Sequence, residues 1–263
     1  MTSLFSIVPA GSDSVDLPTL EEAVFSGDVL IDCLTDEELY WLRHREASED
    51  PAMDEPYLSS LDESARRIAT DSGLRSLIAK GMVDVDPGDP EYLEFIGAYA
   101  VLADLRRSAL TVTRLRLDVP DEESVRYSFS SISDGLILTE EVADGGFHDF
   151  ALQSPASAAG SLASIFDRHR TAGGSSGAIV AVTDRDEMSP SPDDLAARAL
   201  HTVLVRSGRS GNGGSSSLSV HGASDGVYVS WRADGEKSHA RAKMGRSDLE
   251  SLAFDLMIGE WPS

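Results

Sequence analysis

One cysteine, Cys33, stands in a chain of 263 residues. An intrachain disulfide is therefore impossible, and so is a zinc site built from cysteines. The thiol lies in the apolar run Val29-Leu30-Ile31-Asp32-Cys33-Leu34 and reads as a buried, inert side chain. Long hydrophobic runs are missing too: nothing approaches the ~20 apolar residues of a membrane span. Residues 1–10 have neither a charged n-region nor a long apolar h-region, so no signal peptide is expected and the expected location is cytoplasmic. Positive charge is scarce, with 22 Lys and Arg against 45 Asp and Glu and a net charge of −23. The deficit is uneven: residues 1–100 carry 22 acidic and 6 basic side chains, a net −16, which leaves −7 for the other 163. Such a surface repels phosphate backbones and anionic lipid, so neither nucleic acid nor membrane is an expected partner.

The motifs of catalysis and metal binding are absent as well. The six histidines, at 44, 148, 169, 201, 221 and 239, show no ligand spacing. Gly-x-Ser-x-Gly spacing occurs at 173–177, in a Gly/Ser linker, and at 222–226, at an expected hairpin turn; neither joins a strand to a helix, so neither reads as the elbow of a nucleophilic serine. The glycine-rich stretch 208–214 has no Lys-Ser/Thr behind it, which a phosphate loop requires. Asp184, Asp186 and Glu187 cluster, but without the turn glycine and spaced glutamate of a calcium loop. The expectation is a protein without enzymatic activity, metal or cofactor.

What the chain does have is a repeat. Ser133-Asp134-Gly135-Leu136-Ile137-Leu138 returns about ninety residues later as Ser224-Asp225-Gly226-Val227-Tyr228-Val229. Each copy is followed by a second turn (Asp144-Gly145-Gly146, then Asp234-Gly235), by a segment holding His148 or His239, and by an apolar helical pattern, Ser161-Leu162-Ala163 or Ser251-Leu252-Ala253. The two histidines fall at equivalent positions, which suggests a structural role near a turn. Matching turns, strands and helix in one order indicate a duplicated supersecondary unit. Both Asp-Gly pairs are expected at hairpin turns with the glycine at positive φ.

Around the repeat, period and punctuation predict the elements. Residues 1–28 read as part strand, part loose. Thr35 and Glu38 form a capping box for a helix bearing Leu39, Trp41 and Leu42. Residues 46–56 read as loop. Two short helices follow, 62–70 and 74–80, the second stopped by Gly81. A brief strand is expected at 82–85, a turn at 86–90 and a longer helix over 91–107. From residue 111 the period becomes two, predicting strands at 113–117, 125–129, 136–138 and 147–153, then a helix from Pro155 to about 168. The second copy predicts a short helix from Ser191-Pro192, strands near 202–206, 217–221, 227–232 and 238–243, and a last helix opened by a Ser247/Glu250 capping box. Residues 171–177 read as a Gly/Ser linker, 178–182 as an apolar run and 207–216 as a flexible loop. The expected fold class is α+β: two pseudo-twofold-related units, each an antiparallel β-meander with packed helices, preceded by a helical N-terminal region. The boundaries are an acidic N-terminal segment 1–60, a first unit 61–170, a linker 171–191 and a second unit 192–263.

This order of parts resembles the EspG-type chaperones of actinobacterial type VII secretion. The likeness spans roughly residues 60–257. Leu77-Ile78-Ala79-Lys80-Gly81-Met82-Val83 resembles a helix ending in glycine before the first sheet. Leu115-Arg116-Leu117, behind a helix, resembles entry into that sheet, and residues 227–257 resemble the C-terminal half. The segment 167–191 is short for the helical insertion such chaperones often carry. The family binds secreted PE–PPE heterodimers at the tip of the PPE helices. The resemblance therefore implies a cytoplasmic, non-enzymatic chaperone or adaptor for a helical secreted cargo, PE/PPE- or WXG-like. With Leu136, Leu138, Val227, Val229 and Trp231 facing the core, period two turns Ile137 and Tyr228 outward as candidate partner contacts, unless helices cover both faces. Two other readings stand beside it. One is a winged-helix transcriptional regulator with a C-terminal sensor, built on 62–85 with Arg66, Arg67, Arg75 and Lys80 toward DNA. The other is an immunity-type protein whose acidic surface pairs with a basic toxin.

Overall fold

A computed structural model describes residues 1–8, 15–46, 55–86, 89–143, 145–173, 180–182, 199–209, 216–231 and 239–258. The class is α+β. The chain forms two compact units, one of residues 1–109 with 135–154, the other of residues 110–134 with 155–263. This division differs from the one the repeat suggests, because it cuts between the strands of the first copy.

The first unit holds β1 (Thr2–Ser3), α1 (Leu4–Ile7), α2 (Leu17–Phe25), β2 (Val29–Thr35), α3 (Asp36–Glu46), α4 (Pro56–Ser60), α5 (Glu63–Ala79), β3 (Val83–Asp86), β4 (Asp89–Phe95), α6 (Gly97–Arg107), β7 (Leu136–Ala143) and β8 (Phe147–Gln153). Strand β1 runs parallel to β2, which pairs antiparallel with β8, and β8 pairs with β7. Strands β3 and β4 form a separate hairpin. The predicted capping box is present: Thr35 N–H donates to Glu38 Oε2 (3.1 Å) and Glu38 N–H to Thr35 Oγ1 (3.4 Å). Glu38 reaches further, accepting from Ser76 Oγ at 2.6 Å with Lys80 Nζ 2.8 Å away, and so ties α3 to α5. Gly81 ends α5 at φ +68, with Met82 N–H donating to Leu77 O and Gly81 N–H to Ile78 O. That is the paired closure a left-handed glycine permits.

Several expectations fail here for physical reasons. Helix α5 is continuous through Asp71-Ser72-Gly73, where two short helices were expected. Gly73 is retained because α3 crosses there: a Cβ would lie 2.4 Å from the Glu37 carbonyl oxygen. With no turn between two helices, 62–85 offers no helix-turn-helix, and the winged-helix reading loses its basis. Residues 91–95 are strand rather than helix, since Leu93 and Phe95 pair with Val85 and Val83, and α6 starts only at Gly97. Helix α2 falls in the segment read as loose. Its Asp16 cap accepts from Thr19 N–H and Pro18 occupies the first turn, a start signal the acidic context masked. Cys33 is exposed rather than buried. A bulge between Leu30 and Cys33 places one extra residue in β2, so Leu34 takes the inward position and Cys33 turns out. Partial burial, then the neighbouring Asp149 and Asp32 carboxylates, push its thiol up to about 11, so it stays protonated.

The second unit holds β5 (Thr111–Asp118), β6 (Val125–Ser133), α7 (Pro155–Phe166), β9 (Val180–Val182), β10 (His201–Arg209), β11 (Ser216–Ala223), β12 (Gly226–Trp231), β13 (His239–Met244) and α8 (Arg246–Met257). Its strands lie in the order β6-β5-β10-β11-β12-β13-β9, antiparallel throughout. Leu115, Leu117, Val203, Val205, Leu218, Val220, Val227 and Val229 share the inward face. Helices α7 and α8 pack on each other, and Thr113 Oγ1 donates to Leu256 O to fix α8 against β5. The order of four strands and a helix, β5 to β8 then α7, recurs as β10 to β13 then α8.

The two turns that anchor the repeat are one residue out of step. The first is centred on Asp134-Gly135, the second on Ser224-Asp225, with Gly226 already paired to Ala223. Gly226 has φ +149, as expected, but Gly135 is not at positive φ. Helix α8 caps on Gly245 with no side-chain bond, so the Ser247/Glu250 box does not form, and Arg246 rather than Ser247 opens the helix. Residues 207–209 extend β10 rather than starting a loop. The predicted Ser191-Pro192 helix, the 184–187 carboxylates and the Asp234-Gly235 turn lie outside the described residues.

Candidate partner-binding surface

The two residues singled out as outward-facing fare differently. Period two holds, since Leu136, Leu138 and Val142 share one face of β7 and Ile137 lies on the other. Yet Ile137 is only 1% exposed. Helix α2 packs on β7, with Glu21 against Gly135, and a helix on that face removes Ile137 from any partner's reach. Tyr228 is half-buried and engaged locally: its hydroxyl donates to Asp225 Oδ2 (2.8 Å), and the Lys243 ammonium sits 5.8 Å from its ring centre. Ile137 belongs to the first unit and Tyr228 to the second.

His148, the structural histidine of the first copy, is a buried ion hub. It is wholly enclosed, with Nδ1 2.7 Å from Glu140 Oε1 and Nε2 2.6 Å from Asp36 Oδ1. Asp36 Oδ2 meanwhile accepts from Tyr57 and Leu58 N–H, capping α4, and Asp36 N–H donates to the Gly146 carbonyl. Arg106, on α6, stands 3.7 Å from Glu140 and over the Phe150 ring. Two carboxylates, an imidazolium and a guanidinium sum to zero charge, the condition under which buried ions are tolerated. Burial opposes the charged imidazole, but the hydrogen bonds and charges of Asp36 and Glu140 outweigh it and raise its pKa to about 9. Both ring nitrogens face carboxylates, so neither is left to act as a base toward a nucleophile. Sequence reasoning missed Asp36 and Glu140. Glu140 did leave a signal, for it shares the parity of Leu136, Leu138 and Val142, an acid on an apolar face.

Among the described residues of the second unit, a groove of about 640 Å³ lies between α7 and α8. Small residues of α7, Ala159, Gly160 and Ala163, make its floor. Leu249 and Phe254 of α8 make one wall, with Phe254 41% exposed. Arg168 and Arg246 border it, each paired with a carboxylate, Glu122 and Glu250 respectively. A floor of short side chains beside an exposed aromatic is a shape that accepts an inserted apolar side chain from a partner.

The α+β scaffold, taken without the groove, is similar in fold to a solved secretion chaperone. The chain is similar to the solved Mycobacterium tuberculosis type VII secretion system chaperone EspG5, a structure described in complex with the PE25–PPE41 dimer. The TM-score is 0.54 at 10% identity, covering 89% of this chain and 97% of that one. At that identity the likeness is one of fold. No protein-family model and no curated protein matches the chain.

Proposed function

We propose that this protein is a non-enzymatic chaperone or adaptor that holds a helical, secreted protein cargo for a type VII-like secretion system. The observation that supports it most is the near-complete coverage of a chaperone fold whose solved form carries a protein dimer. The α7/α8 groove supplies the place where an apolar helix tip would seat, with Phe254 as the contact that burial would reward. The reading carries a cytoplasmic location and needs no cofactor. Among the described residues no helix is long and apolar enough to cross a membrane.

The test is co-expression with PE/PPE-type and WXG-type pairs, followed by size-exclusion chromatography with mass determination. One chaperone per cargo dimer is the expected species. Gly160→Arg fills the groove floor, and nothing lies within 4 Å of the added Cβ, so the fold should survive. That variant should lose the complex while keeping its circular dichroism. A complex that forms unchanged with Gly160→Arg moves the site away from the groove, and no complex with any such pair defeats the reading.

A further inference from the structure

The outer face of the first unit's sheet sets carboxylates among exposed apolar side chains. Cross-strand pairing builds it in rows over β7, β8 and β2. Ala151 lies beside Leu30, Glu141 beside Asp149 and Cys33, and Ala143 beside Phe147. These positions alternate with the inward Val142, His148, Phe150 and Leu34, so they point away from the buried ion hub. Helix α2 covers this face at Ile137. Beyond it Phe147 is 53% exposed and Leu30 44% exposed, and Glu141, Asp149 and Cys33 are exposed as well. Each row is two residues along β8 from the next, so the rows of Leu30 and Phe147 bracket the acids at a spacing of about 13 Å.

Glu141 and Asp149 stand directly opposite each other. Like charges in that arrangement destabilise a sheet. Partial burial, then the charge of Asp149, raises the Glu141 carboxyl above its ordinary range. Among the described residues neither carboxylate forms an ion pair. The Cys33 thiol against Asp149 is neutral, and Lys80, whose charge reaches Cys33, is held by Glu38 at 2.8 Å. Asp32, in the bulge of β2, adds a third carboxylate beside the thiol. A cation arriving from outside relieves the opposition, but an ion alone leaves Phe147 and Leu30 in water.

We propose that this face of β7, β8 and β2 docks a basic amphipathic helix of a protein partner, whose arginine or lysine meets Glu141 and Asp149 while apolar side chains on either side cover Phe147 and Leu30. Three strands span about 10 Å, the width of one helix. An extended segment laid on the face would leave its own backbone groups unpaired, whereas a helix satisfies them internally. Apolar side chains about seven or eight positions apart on a helix are separated by about 10.5–12 Å, which reaches both anchors. A guanidinium fork spans two carboxylates, which makes arginine the fitting central residue. The net charge of −23 disfavours a second copy of this chain and a nucleic acid alike. The inference is independent of the type VII reading and of the groove between α7 and α8, which belongs to the other unit.

The test uses the full chain and a labelled helical peptide of about 15 residues, with leucines about seven positions apart and arginines between them on the same face. The control peptide has the same composition with its leucines moved to the opposite face, because so acidic a chain attracts any cationic peptide to some extent. By fluorescence anisotropy at about 150 mM salt the patterned peptide should bind at least about tenfold tighter than the control. Phe147→Ser, and separately Glu141→Gln with Asp149→Asn, should each weaken it about tenfold or more. Glu63→Gln with Glu123→Gln removes the same charge from exposed positions on α5 and between β5 and β6, and should weaken binding less than about twofold. Because Glu141→Gln with Asp149→Asn removes repulsion, its urea midpoint should be unchanged or raised. Four outcomes overturn the proposal: no saturable binding of the patterned peptide up to about 1 mM, equal binding of the two peptides, equal weakening by the two carboxylate variants, or a lowered midpoint in Glu141→Gln with Asp149→Asn.

Discussion

His148 makes the stability of the first unit depend on pH at an unusual place. An imidazole exposed in the unfolded chain titrates near its ordinary value of 6.5, whereas in the fold it holds its proton to about 9. The folded state therefore binds the proton more tightly. Its contribution is fully present below about 6.5 and is lost as pH rises through about 9. The size is on the order of a few kcal/mol. Urea midpoints measured from pH 6 to pH 10 should fall across that window, and the fall should be much shallower in His148→Gln. Asp36→Ala should be worse than the histidine change, by about 3 kcal/mol or more, because it strands a buried cation and uncaps α4 together. A flat midpoint across the window in the native protein would show that the imidazole is neutral in the fold.

At the scale of elements, two helical glycines make a controlled pair. Gly73 lies where α5 crosses α3, so Gly73→Ala forces a Cβ onto the Glu37 carbonyl and should cost about 1–3 kcal/mol. Gly160, in α7, has open space around its missing Cβ, and Gly160→Ala should stabilise by about 0.5–1 kcal/mol through the helix alone. Denaturant midpoints of the two single variants should therefore move in opposite directions. The same contrast explains what could be read from the sequence. The Thr35/Glu38 box, the Gly81 stop and the period-two strands at 111–153 and 201–231 are local signals, and each is present. Glu91 to Phe95 has helical spacing on paper, but pairing with β3 decides its state, and pairing is invisible to a window of a dozen residues. The break expected inside α5 at Asp71-Ser72-Gly73 fails for the converse reason. A glycine that looks like punctuation is there to admit another helix. The partner-facing chemistry was legible only in part. Alternation correctly turned Ile137 to the second face of its strand, yet whether a helix covers that face depends on α2, more than a hundred residues earlier.

At the scale of the molecule, charge sets the terms. A net charge of −23 on 263 residues is a repulsive field that compactness aggravates. Added sodium chloride should raise the melting temperature over the range where the screening length drops from about 30 Å to about 8 Å. Differential scanning fluorimetry at neutral pH is enough to see it. A melting temperature that falls with salt would mean that surface ion pairs such as Arg168–Glu122 outweigh the general repulsion.

The interleaving of the two units also governs how the chain can be made. Strand β2 closes against β8, and Asp36 meets His148 over a sequence separation of 112 residues. During synthesis the first hundred residues leave the ribosome with neither the β8 partner of β2 nor the cation that buried Asp36 requires, although Glu38 already has Lys80. At ~5–20 residues per second the wait is roughly 6–22 s. Meanwhile residues 110–134, which belong to the other unit, emerge in between and must be set aside. The net −16 of the first hundred residues gives neighbouring waiting segments like charge, which favours their staying apart. The acidity of the nascent chain thus acts as a temporary solubiliser, ahead of the moment when His148 arrives and the first unit can close.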